Sequence, residues 1–213
     1  MIRVLIADDH AAIRAGLTMI LDGAQDVEVV AEAEDGAAAV RKAAALRPDV
    51  VLMDVRMPGT DGLTATRQVI EAGTAQVIVL TTFDMDEYVY GAIRAGAAGF
   101  LLKSVDASRL VESVRLVAAG DGVIEPSVTR RLMATFASSQ PTVTRPPALD
   151  ALTQREHDVL MCLGEGLSNQ QIARRLGVGE ATVKTHVSRV LTKLDLRSRV
   201  QAAVLAKDAG LVG

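Results

Sequence analysis

Aromatic side chains are almost missing from this chain: two Tyr, three Phe and no Trp among 213 residues. That scarcity excludes a surface that grips single strands by stacking bases on rings. Cysteine occurs once, at Cys162, so no internal disulfide exists, as suits a reducing cytosol. No run of about 18 apolar residues is present. The apolar stretch after Met1-Ile2-Arg3 is broken at once by Asp8-Asp9, which leaves no room for a secretory core segment. A cytoplasmic protein with no membrane partner is expected. No internal repeat is apparent. What the chain does have is aliphatic: hydrophobic residues make up 49% of it, enough for packed cores.

Charge is unevenly spread. Residues 151–213 carry net +3, while the rest carries −6, giving the overall −3. A basic C-terminal part behind an acidic N-terminal part suggests that only the former meets a polyanion. The pattern of elements divides at the same place. Through residue 119, short apolar runs (Val4–Ala7, Val27–Ala31, Val50–Met53, Val77–Leu80, Gly99–Leu102) alternate with helix-like segments near 11–21, 36–46, 62–72, 86–95 and 106–119. Gly23, Pro48, Gly73, Gly96 and Gly120 mark their ends. Such alternation predicts a doubly wound (βα)5 parallel sheet covered on both faces, an α/β domain over 1–120. Residues 121–150 break the rhythm. Pro126-Ser127 can open a helix through Phe136, and Ser138-Ser139-Gln140-Pro141 and Pro146-Pro147 read as linker. Over 151–213 strands vanish, and an all-α domain of four helices is expected. Three Ser/Thr-x-x-Glu/Gln capping boxes start helices there: Thr153…Glu156, Ser168…Gln171 and Ser198…Gln201.

In an open parallel sheet the functional crevice lies beyond the C-terminal strand ends. Asp8 and Asp9 follow the first apolar run and Asp54 follows the third, so three carboxylates converge on one rim. Crowded carboxylates repel unless a cation neutralises them. Mg²⁺, with its preference for hard oxygen ligands and its open positions, is the natural guest. One carboxylate can then attack a phosphoryl group to give an aspartyl phosphate. Lys103 ends the fifth run and Thr81 the fourth, an ammonium and a hydroxyl for the phosphoryl oxygens. Singly, such residues are turn formers or solvated surface; together, at four strand ends, they are a site.

Those residues carry a resemblance. Val4-Leu5-Ile6-Ala7-Asp8-Asp9-His10, Asp54-Val55-Arg56-Met57-Pro58-Gly59-Thr60-Asp61-Gly62, Leu80-Thr81-Thr82-Phe83 and Gly99-Phe100-Leu101-Leu102-Lys103 make residues 1–119 similar to receiver domains of response regulators. The resemblance implies that Asp54 is the phosphoacceptor and that Mg²⁺ is held by Asp8, Asp9, Asp54 and the backbone carbonyl of Arg56. It makes Thr81 the switch hydroxyl, in preference to Thr82, and Lys103 the phosphate-contacting lysine. Phe100 becomes the switch aromatic, against the alternative of simple packing. Arg56 and Phe83 are implied to tune phosphoryl lifetime. His10 is expected to bond locally rather than ligate metal. Ser104 stands where many receivers have Pro, a departure in the segment that passes the switch on.

Residues 152–208 resemble LuxR-type DNA-binding domains, which places the chain with the NarL/FixJ response regulators. Leu152-Thr153-Gln154-Arg155-Glu156, Gly166-Leu167-Ser168-Asn169-Gln170-Gln171-Ile172-Ala173, Leu176-Gly177-Val178, Thr182-Val183-Lys184-Thr185-His186-Val187 and Lys193-Leu194 carry it. Apolar stripes at Ile172/Ala173/Leu176 and Val183/Val187/Val190/Leu194, parted by a three-residue turn, describe a helix-turn-helix that lays its second helix in the major groove of double-stranded DNA. Lys184 is then the candidate for guanine O6 and N7. Val183 either meets a thymine methyl or packs in the core. Thr182, His186, Arg189 and Lys193 are assigned to phosphates, with Asn169 as a further phosphate contact. Gly179 departs from the Ser or Thr that usually caps the recognition helix. The last helix, with Val200, Ala203 and Val204, is implied to pair two copies into a homodimer, or else packs within its own domain.

The expected function is a DNA-binding transcriptional regulator, not an enzyme, switched by a sensor histidine kinase through Asp54. Two rivals remain at this point. A phosphatase or phosphotransferase using Asp54 would need a substrate pocket and a second acid/base carboxylate. A regulator that ignores phosphate would keep the sheet only as a dimerisation or ligand platform.

Overall fold

In the computed structural model, which describes residues 1–82, 86–124 and 147–212, the N-terminal apolar runs are strands and the segments between them helices. They follow as β1 (Ile2–Ala7), α1 (Ala11–Asp22), β2 (Val27–Ala33), α2 (Gly36–Leu46), β3 (Val50–Asp54), α3 (Gly62–Glu71), β4 (Gln76–Thr81), α4 (Asp86–Ala95), β5 (Gly99–Leu102) and α5 (Ala107–Ala118). A two-residue strand, β6 (Val123–Ile124), adds itself beside β5, so the sheet has six strands in the order β2-β1-β3-β4-β5-β6, every pair parallel. Its pattern is too short to register as a strand in the sequence. The helix expected over 126–136 and Phe83 lie outside the described residues.

Strand β3 is central, and all five of its residues are buried. A strand covered on both faces reads as a continuous apolar run, as Val50-Val51-Leu52-Met53 does. Val4, Ile6, Val50, Leu52, Ile78, Leu80 and Leu101 project to one face, where Leu17 and Leu21 of α1 and Leu110, Val114 and Val117 of α5 cover them. The other face is closed by α2, α3 and α4, which pack side by side. Buried Ala38, Ala39, Ala43 and Ala65 let these helices approach closely. Between Val4 and Leu5 the register of β1 on β2 shifts by one residue.

The chain divides into two compact units, Met1–Val128 and Thr129–Gly213. In the second, a 3₁₀ turn (Pro147–Ala151) precedes α6 (Gln154–Gly164), α7 (Asn169–Leu176), α8 (Glu180–Lys193) and α9 (Arg199–Asp208). The turn buries Leu149 against the same core as Leu160, Leu163, Ile172, Val183, Val187, Val190, Ala202 and Ala206. Two of the three expected capping boxes close reciprocally, Thr153 with Glu156 and Ser168 with Gln171. At the third, Ser198 Oγ accepts from the Gln201 amide, but Gln201 Oε1 takes the amide of Arg197. Gly177, at φ 65°, ends α7 in the left-handed region that suits glycine. Gly179 caps α8 without any side-chain bond. Among the described residues, no helix is long and apolar enough to cross a membrane.

Candidate functional site

Strand register assembles the acidic rim. Ala7 pairs with Met53, so the next residues along, Asp8 and Asp54, leave adjacent strand ends together. Thr81 pairs with Leu102, and Lys103 N donates to Thr81 O at 2.8 Å. Lys103 then spans the end of β4 to reach the carboxylates: its Nζ lies 2.5 Å from Asp8 Oδ2 and 3.0 Å from Asp54 Oδ2. Asp8, Asp54 and Thr81 are 1%, 5% and 1% exposed. Burial pushes the Asp54 carboxyl above the usual carboxylate range; Lys103 opposes that rise, while the like charge of Asp8 adds to it. Asp8 Oδ2, buried and facing the lysine, accepts no hydrogen bond of good geometry.

The loop after β3 is drawn tight over the site. The Arg56 backbone N–H donates to the Asp54 carboxylate. Gly62 N donates to Val55 O at 2.9 Å, and Asp61 caps α3 by accepting from the amides of Leu63 and Thr64. A Cβ on Gly62 would fall 1.7 Å from the carbonyl oxygen of Asp54, and one on Gly36 would fall 2.4 Å from that of Thr60. Glycine is therefore a packing requirement at both positions, at Gly62 against the end of β3 and at Gly36 against the loop that follows it. The spacing of the carboxylates did not reveal Gly36; its signal is a glycine directly after the N-cap Asp35. Arg56 and Asp9 line one cleft of about 550 Å³ with Val55, Met57, Pro58, Asp61, Leu63 and Tyr88. His10 bonds locally: its amide donates to Asp8 Oδ1, and its Nδ1 lies 2.6 Å from Asp9 Oδ1. Ligand atoms of Asp8, Asp9 and His10 all lie within 4.8 Å of one another. Phe100 is buried, paired with Val79, on the sheet face opposite that of Leu101.

In the second unit, α8 turns Val183, Val187 and Val190 into the core. Val183 is fully buried, so the contact with a thymine methyl gives way to a packing role. Asn169 is likewise buried, at 1% exposure, and its Oδ1 accepts from Arg199 Nη1 at 3.2 Å. Thr182, Lys184 and Arg189 are exposed, and His186 is half-buried with an unpartnered Nδ1. Lys193 is tied inward: Nζ donates to Ala151 O at 3.0 Å and to Glu156 Oε2 at 2.7 Å. On α9, Val200 is buried within its own unit, while Ala203 and Val204 are half-exposed.

An aspartate pocket at the edge of a doubly wound sheet, followed by a helix-turn-helix, defines a receiver joined to a DNA reader. Comparison with known proteins bears this out. Residues 4–115 match the response regulator receiver domain, and residues 150–206 match the bacterial regulatory proteins of the luxR family. The chain is 40% identical over 213 residues to the transcriptional regulatory protein LiaR of Bacillus subtilis, covering all of both chains. It is 37% identical over 202 residues to the nitrate/nitrite response regulator protein NarL of Escherichia coli, covering 94% of this chain and 93% of that one. Among solved structures, the response regulator ChrA of a heme-sensing two-component system is similar at 39% identity, with 99% and 98% of the two chains covered and a TM-score of 0.55. The chain belongs to the NarL/LuxR family of two-component response regulators and is a DNA-binding transcription regulator.

Proposed function

We propose that a sensor histidine kinase transfers a phosphoryl group to Asp54, and that the phosphorylated chain, acting in the cytoplasm, binds two-fold DNA sites as a homodimer. The observation that carries this reading is the Lys103 ammonium, shared between Asp8 and Asp54 at the rim of the sheet. A buried carboxylate facing a fixed cation is a nucleophile whose product charge is already provided for. An oxygen of Asp54 attacks phosphorus as the bond from phosphorus to the kinase imidazole nitrogen breaks, and the imidazole leaves. Hard oxygens from Asp8, Asp9, Asp54 and the Arg56 carbonyl suit Mg²⁺. When bound there, Mg²⁺ supplies positive charge to the phosphoryl oxygens. Lys103 then turns from Asp54 toward one phosphoryl oxygen and the Thr81 hydroxyl donates to another. Phe100 repacks with them, which changes the surface around α4 and α5. That change biases the chain toward the DNA-binding dimer.

On DNA, α8 lies in the major groove. Lys184 donates to guanine, and Thr182, His186 and Arg189 contact phosphates. Val183, Asn169 and Lys193 serve by holding the helix in place. Ala203 and Val204 of α9 form the face offered to a second copy.

The test is selection of genomic DNA fragments by the full chain with and without a small phosphoryl donor, in parallel with Asp54→Asn. The donor is expected to raise recovery of a two-fold site by the parent chain and to leave Asp54→Asn unchanged. If Asp54→Asn takes up phosphate and still switches, the reading is wrong.

A further inference from the structure

We propose that Arg14 is a positioning residue for the acidic pocket: from α1 it grips the main chain of Asp8 while Glu32 of β2 grips Arg14. The inference rests on the reading of that pocket as a Mg²⁺ site. Arg14 Nη1 donates to the Asp8 carbonyl at 2.8 Å, and Arg14 Nε donates to Glu32 Oε2 at 3.0 Å. Glu32 is held in turn, since Thr18 Oγ1 donates to its Oε1 at 3.2 Å and Lys42 Nζ to its backbone carbonyl at 2.5 Å. Arg14 and Thr18 are four residues apart on α1 and so share one face of that helix.

Three features show that this chain of contacts serves geometry. First, it completes the fixing of Asp8. The Asp8 amide donates to Ala33 O at 3.1 Å and its Oδ1 accepts from the His10 amide at 2.9 Å. With the carbonyl also pinned, the direction of the carboxylate is determined. Second, Arg14 anchors the first turn of a helix whose N-cap, His10, makes no side-chain capping bond. Third, the bulge between β1 and β2 sets Glu32 up for the task. Val4 pairs with Val29, but Leu5 pairs with Ala31 and Ile6 with Glu32. The extra residue reverses the in-out alternation, so Glu32 joins Ile6 on the face covered by α1. Without it, Glu32 would point to the opposite face. The ion pair contributes little by itself, because Glu32 is 41% exposed. The planar fork of arginine holds its donors rigidly apart and so bridges two separated acceptors, whereas an ammonium brings its donors to one point on a flexible stem.

The full chain is titrated with Mg²⁺ by calorimetry, and amide exchange is measured at residues 8–10 without metal. Arg14→Gln is expected to weaken Mg²⁺ binding about tenfold and to speed exchange at those amides while the chain stays folded. Glu32→Gln is expected to weaken binding less, and to add nothing when combined with Arg14→Gln. Arg14→Lys, which keeps the charge and the aliphatic stem, is expected to fold and yet stay close to Arg14→Gln in affinity; it replaces Arg14→Gln if that variant does not fold. Parental affinity in Arg14→Lys or Arg14→Gln, with binding lost in Asp9→Asn, overturns the inference and leaves the pocket reading intact. A parent chain that takes up no Mg²⁺ overturns both.

Discussion

Glu156 sits at the centre of a small polar knot, where its Oε2 accepts from Lys193 Nζ at 2.7 Å and from the Thr153 amide at 2.8 Å. These bonds, that of Lys193 first, hold its carboxyl well below the usual value of 4.5, at about 2. The folded state thus binds its proton less readily than the unfolded state. The stabilisation is complete above pH 4.5 and disappears as pH falls through about 2. Urea unfolding of Glu156→Gln is therefore expected to show a shallower loss of stability across that window than the parent; equal slopes would place the acid sensitivity elsewhere. Such knots explain what single residues did and did not disclose. Asp8, Asp54 and Lys103 were legible because strand ends of a parallel sheet share one edge, whichever way each side chain turns. The tie of Lys193 to Glu156 was not, because a lysine on the outer turn of a helix shows no such partner until α6 is packed against it. The bond of Asn169 was hidden for the same reason: position puts it near the start of α7, and only Arg199 of α9 makes it a buried acceptor.

At the scale of elements, local chemistry was largely readable because capping is local. Thr153, Ser168 and Ser198 each accept from the amide three residues on, as their spacing predicts. At the start of α8, Gly179 has no side chain with which to do so. Gly179→Ser is expected to raise thermal stability by about a few tenths of a kcal/mol. Its backbone angles, φ −72° and ψ 150°, are already those of a serine cap. A lower melting temperature would mean that the serine side chain meets an obstacle at that turn. The sheet shows the opposite case. The register shift in β2 and the short strand β6 depend on what lies alongside, and no run of residues announces them.

For the whole molecule, the excess of positive charge lies in the part that carries the helix-turn-helix, and the exposed Lys184 and Arg189 of α8 are assigned different tasks. Lys184→Ala is expected to cost about 1–3 kcal/mol of discrimination at the guanine it reads and to relax specificity there. Arg189→Ala is expected to weaken binding to all sequences alike and to reduce the salt slope by about 1. Fluorescence anisotropy over a range of salt on matched and mutated sites separates the two, and identical behaviour of both variants would refute the division. The sequence by itself determined the two folds, the acidic rim, the helix-turn-helix and the family, because hydrophobic period, capping and strand-end position are properties of short stretches. Only the tertiary structure decided that Val183 packs inward, that Asn169 and Lys193 bond within their own unit, and that Arg14, held by Glu32, reaches the Asp8 carbonyl. Those outcomes depend on which face of one element meets another, and side-chain pairing across that contact has no signature along the chain.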